Sequence, residues 1–165
     1  MNTSSPQILA IHHLVHEYAN FVSSAELTIH GRDKNLNKDG IRSPLNHHVS
    51  HAFYLNSRKL ADFFQNRSTG KDDVIALHFV SGFQTGLPVS DSLRERINKQ
   101  LAHLTYFRNL KAAEITKEEQ KNIYHELKKT WDEFCKALPE EYAVEVLKQI
   151  RLKKACEEFK GLPLE

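Results

Sequence analysis

The chain has 165 residues, 40% of them hydrophobic and 27% charged, with a formal net charge of +2. That length favours one domain with a core of useful size, and no apolar run approaches the roughly 18 residues of a membrane span. The N-terminus, Met1-Asn2-Thr3-Ser4-Ser5-Pro6, lacks the basic region of a signal peptide. Cys135 and Cys156 show no CxxC spacing, so free thiols in a reducing compartment, hence a soluble cytoplasmic protein, are the expectation.

Charge is unevenly spread. From Arg32 to Lys71 eight Lys/Arg stand against three Asp/Glu, and from Arg94 to Lys111 five stand against one. If these segments meet in space they form a basic patch.

Ile8, Ile11, Leu14, Val15, Tyr18, Val22, Ala25 and Ile29 recur at helical spacing, which predicts a long amphipathic helix ending near Gly31. Residues 32 to 44 combine charge with Asn, Gly and Pro and read as an exposed loop. A second helix is predicted from Pro44 to Asn66. Its apolar side carries Val49, Phe53, Leu60 and Phe64, widened by Phe63 and Ala52, as if it met more than one neighbour. Asp72 to Val80 fits a two-turn helix or a strand; the acidic start and the lack of a pairing strand favour helix. Gly82, Gly86 and Pro88 make a connector across 81–90.

Ser90 or Asp91 then caps a helix carrying Arg96 and His103. Thr116-Lys117-Glu118-Glu119 is a capping-box pattern opening a helix through Ile123, Leu127, Trp131, Phe134 and Leu138. Pro139 stops it and begins the last helix, which runs through Ala143, Val146, Leu147 and Ile150 toward Gly161. The fold class is therefore all-α, a single-domain bundle of five or six helices.

Within the Arg96 helix, seven residues at about 100° each return to within about 20° of the starting direction. Arg96 and His103 thus share one edge, just outside the apolar stripe of Leu93, Ile97, Leu101 and Leu104. A cation beside a group that titrates near neutrality can bind a phosphate and move a proton. The same positions also suit an Arg–carboxylate pair and a His bonded to a backbone carbonyl at a helix contact.

Arg96, Asn98 and His103, opening a helix in a small all-α protein, resemble the R-x4-6-H signature of HEPN domains, here as R-x6-H. The resemblance implies a helical bundle that dimerises and brings two motifs into one cleft that cuts RNA without a metal. Carried over, Arg96 polarises the scissile phosphate and His103 transfers a proton, with the two Arg96 helices meeting across a two-fold axis. Ile97 stands where the family often has a polar residue, and Tyr106 lies three rather than two positions after the His. A broader similarity, through Arg58–Phe64, Asp72–Ala76 and Ile97–Tyr106, is to a group of small uncharacterised bacterial proteins and brings no activity with it.

Asn98, Tyr106 and Arg58 are the candidate substrate-binding residues. Tyr106, Phe107 and Arg108 pack the helix end or offer a base-stacking surface. Arg58 either lines the His103 cleft or forms an i, i+4 surface pair with Asp62. Asp72 and Asp73 suit a helix start first and an acid or metal group second. His12/His16 and His47/His51 have the spacing of zinc ligands, yet both pairs fall on the side away from their helix's apolar stripe, so solvated faces are expected and no metal or other cofactor. Glycine-rich phosphate loops, G-x-S-x-G and H-E-x-x-H are absent from the sequence. Two functions stay open. One is a HEPN-like RNA-binding or RNA-cleaving protein. The other is a non-catalytic helical protein that dimerises or docks a protein partner through Phe53, Phe63 and Phe64.

Overall fold

A computed structural model describes residues 5–30, 44–68, 70–86, 89–102 and 115–160. Among them run α1 (Pro6–His30), α2 (Pro44–Phe64), α3 (Asp91–Ala102), α4 (Lys117–Ala137) and α5 (Glu140–Lys160), with one 3-10 turn at Ala76–His78. The architecture is all-α, as the hydrophobic periodicity predicts. Positions 32–43 of the expected loop lie outside the described residues.

Packing centres on α1 and α2. α1 lies along α2 and also meets α4 and α5, while α2 meets α3 and α4. Ile11, Leu14, Val15, Phe21 and Ala25 form the buried stripe of α1. Hydroxyls are tolerated inside because they bond back one turn: Ser24 Oγ donates to the Asn20 carbonyl at 2.7 Å, and Ser57 Oγ to the Phe53 carbonyl at 2.7 Å.

Aromatic rings fill the centre. Phe134 of α4 is fully buried and meets Phe63, Phe64, Phe79 and Phe83 with ring centroids 5.3, 5.7, 6.3 and 5.4 Å away. Three of these contacts, with Phe63, Phe79 and Phe83, stand at 84–89°, the edge-to-face arrangement that ring quadrupoles favour. Phe53, Phe63 and Phe64 are all buried. The width of the α2 apolar face therefore reflects contact with α1, α3 and α4, and these phenylalanines cannot serve as an exposed docking surface.

The expected helix across Asp72–Val80 shrinks to one 3-10 turn. Asp73 turns its carboxylate back onto the Gly70 amide at 2.7 Å, closing a local turn in place of a helix start, and Ile75 is extended (φ −126°, ψ 160°). Buried Ala76 and Phe79 anchor the segment. Asn66 fixes it from the other side. With φ 54° it ends α2 in the left-handed conformation, where the Arg67 amide reaches the Asp62 carbonyl at 2.9 Å. Its side chain donates to the Phe83 carbonyl at 3.1 Å and accepts from the Leu77 amide at 2.8 Å.

At α4 the capping box forms as the sequence predicts: the Glu119 amide donates to Thr116 Oγ1 at 3.2 Å, and the Thr116 amide donates to Glu119 Oε2 at 2.8 Å. Pro139 separates α4 from α5, its carbonyl accepting from the Tyr142 and Ala143 amides at 3.0 Å.

Candidate functional site

Ser90 starts α3, its Oγ accepting from the Leu93 amide at 3.2 Å and its carbonyl from the Arg94 amide at 2.8 Å. Ile97 is fully buried and Leu93 and Leu101 pack partly against the core, which sets the rotation of the helix. Arg94 and Arg96, two residues apart, then project about 200° from one another. Each is held by a different neighbour.

Arg94 faces α2. Its Nε and Nη2 donate to the two Asp62 carboxylate oxygens at 2.8 and 3.1 Å. Arg58 Nε lies 3.6 Å from the same carboxylate, so Asp62 sits between two guanidinium groups. Arg67 of the α2–turn junction pairs with Asp91 at the start of α3. Three arginines of the basic segments thus meet two carboxylates at the α2–α3 contact.

Arg96 faces the start of α4. Nη1 donates to Glu119 Oε1 at 2.5 Å and Nη2 to Oε2 at 3.0 Å, a fork-on-fork contact. The two side chains are 25% and 32% exposed. The Arg96 hydrogen bonds, opposed by burial and assisted by the Thr116 amide and hydroxyl, hold the Glu119 carboxyl down to about 2. Glu119 was visible in the sequence only as the last member of a capping box; that its carboxylate also receives Arg96 from α3 is a tertiary fact, since Arg96 and Glu119 are far apart in the chain.

Of the sequence-derived site residues, Arg58 and Arg96 are brought to opposite flanks of α3 rather than into one described cluster. Asn98 shares the Arg94 flank by helical phase; it is partly buried, and its Oδ1 has no hydrogen-bond partner among the described residues. His103 and Tyr106 lie outside the described residues. Among the histidines, His12 and His51 depart from the expected solvated faces: His51 is half-buried, and His12 Nε2 meets Glu145 Oε1 of α5 at 2.5 Å. The reason is that α1 is covered on two sides, by α2 and by α5, so a position off the main stripe is still partly enclosed. Glu145 also accepts from Gln149 Nε2 at 3.0 Å and lies 3.4 Å from Lys148 Nζ; these contacts, that with Gln149 foremost, keep its carboxyl below the usual range. His13 and His16 are exposed. The side chain of His47 lies outside the described residues, and among those described no group of three His, Cys, Asp or Glu side chains converges as a metal site.

Cys135 is a free, half-buried thiol pushed up to about 12 by burial and by the nearby Asp132 carboxylate. A nucleophilic role does not fit that environment. No helix among the described residues is long and apolar enough to cross a membrane. No protein-family model matches the chain, and no curated protein or solved structure matches it either.

Proposed function

We propose that this chain is a HEPN-like protein that binds RNA, and cleaves it without a metal, through Arg96 and His103. The observation that carries the proposal is the R-x6-H pattern of Arg96 and His103, with Arg96 partly exposed at a helix edge; its fork holds the Glu119 carboxylate at 2.5 and 3.0 Å, the Arg–carboxylate pair that this position also suits. A carboxylate and a phosphate offer a guanidinium the same pair of acceptor oxygens. RNA binding through this edge is then an exchange of anions, a phosphodiester displacing Glu119 from the partly exposed Arg96 fork.

In the cleavage step the ribose 2′-hydroxyl attacks the adjacent phosphorus while His103 takes its proton. Arg96 stabilises the negative charge that develops on the phosphate oxygens. The bond to the 5′-oxygen breaks, and the proton passes to that oxygen, leaving a 2′,3′-cyclic phosphate and a 5′-hydroxyl.

Two substitutions test the proposal from opposite sides. Glu119→Gln keeps an acceptor for the Thr116 amide but frees Arg96 from a charged competitor, and should tighten binding of a short single-stranded RNA. Arg96→Ala should abolish that binding. Equal affinity of the parent and both variants would rule the proposal out.

A second reading, a non-catalytic interaction protein, is favoured by a different observation. Val144, Leu147 and Leu152 of α5 stay 52–56% exposed on the side opposite Val146, which is buried. Grouped apolar exposure of this kind marks contact surfaces.

A further inference from the structure

α5 has two faces. Tyr142, Ala143, Val146 and Ile150 pack inward, where α5 meets α1 and the Tyr142 ring stands edge-on to Phe79 at 5.5 Å. On an adjoining exposed flank Glu140, Val144, Leu147 and Arg151 follow one another at spacings of four, three and four residues, and all four are exposed. Successive steps of 100° place them within about 60° of each other, the seam of a two-stranded coiled coil. The order along that seam is acidic, apolar, apolar, basic. Such a stripe complements itself when it is turned end for end.

We propose that α5 pairs antiparallel with α5 of a second copy across a two-fold axis midway between positions 144 and 147. Val144 then faces the partner's Leu147 twice around the axis. Glu140 faces the partner's Arg151 at each end, and Lys148, 62% exposed along its side chain, borders the partner's Glu141. A parallel pairing would instead set Glu140 on Glu140 and Arg151 on Arg151, so the charge order selects the antiparallel arrangement. Twelve residues of one helix span only about 17 Å, too little to bury the ~1,200 Å² of a standard interface. Association is accordingly weak, governed by concentration and reduced by salt.

This inference deepens the second reading and owes nothing to RNA chemistry. None of the seam residues belongs to the Arg96 edge, so this dimer differs from one in which the two α3 helices meet.

The test is sedimentation equilibrium of the full chain over a range of concentrations. Reversible dimerisation in the micromolar to millimolar range is expected. Glu140→Arg and Arg151→Glu should each weaken it by roughly tenfold or more, because each places like charges opposite one another. An equimolar mixture of the two variants should restore it, since every 140–151 contact in the mixed dimer again joins opposite charges. Both positions are exposed, so circular dichroism should show unchanged folding. A parent chain that stays monomeric to about 1 mM, single variants that associate as the parent does, or a mixture with no restored association would each overturn the proposal. Loss of RNA binding would leave these outcomes unaffected, which keeps the two proposals separable.

Discussion

Removing the Arg96–Glu119 pair should reveal how strongly it ties α3 to the start of α4. Two charge-assisted hydrogen bonds at 2.5 and 3.0 Å join the groups, and bonds of this kind contribute roughly 1.5–3 kcal/mol when well shielded. With the side chains 25% and 32% exposed, water and salt screen the contact, and a coupling energy of about 1–1.5 kcal/mol is expected. Glu119→Ala should cost more than Arg96→Ala by about 1 kcal/mol, because it also opens the capping box with Thr116. A double-mutant cycle by urea denaturation isolates the pair from every other contact of either residue. The pH dependence has a defined sign. Glu119 is lowered on folding from 4.5 to about 2, so its contribution is complete above about pH 4.5 and disappears as pH falls through the folded value. A coupling below about 0.3 kcal/mol, or one unchanged between neutral and strongly acidic pH, would refute this account of the contact.

Other perturbations probe the frame around the site. Asn66→Gly should retain the left-handed end of α2 yet lose the bonds to Phe83 and Leu77, while Asn66→Ala loses both features; thermal unfolding should place the Ala variant below the Gly variant, by about 0.5–1 kcal/mol of stability. Phe134→Ala empties the point at which four phenylalanine rings meet, and chemical denaturation should register a loss of about 3–5 kcal/mol; a loss under about 1 kcal/mol would mean the site collapses without strain. Cys135, held as a half-buried thiol, should react with a thiol reagent far more slowly in the native chain than in the unfolded chain.

Helix positions were legible because each helix buries a periodic stripe: the core positions Ile11, Leu14, Val15 and Ala25 of α1, or Ile123, Leu127, Trp131 and Phe134 of α4, stand in the sequence at the spacing at which they meet the core, although that spacing points to half-buried Val22 where its neighbour Phe21 is the fully buried one. End signals were legible for the same local reason, Ser90, Thr116 and Pro139 each acting within a few residues of themselves. The segment after α2 was not, because its form depends on Asn66 reaching two distant backbone groups and on Asp73 closing a turn. Local acidity at Asp72 and Asp73 could not reveal either. Phe53, Phe63 and Phe64 misled in a related way. A wide apolar face says that a helix has several neighbours without saying whether these belong to the same chain. For the candidate site, helical spacing identified Arg96 as an edge residue, but the carboxylate that holds it comes from another helix, and Glu119 had a sufficient local role as a cap. The motif resemblance groups Asn98 with Arg96, and Arg58 joins them as a residue lining the same cleft, whereas the rotation imposed by buried Ile97 turns Asn98 toward the Arg94 flank of α3, which faces Arg58 of α2, and Arg96 toward α4.

The most direct test of a role in RNA cleavage is incubation of the purified chain with tRNA in EDTA, beside His103→Ala and Arg96→Ala prepared in the same way, with the new RNA ends identified chemically. Fragments ending in 2′,3′-cyclic phosphate, formed by the parent and by neither variant, are the expected result. Equal RNA loss in all three samples, or intact RNA in every one, would contradict a catalytic role for Arg96 and His103.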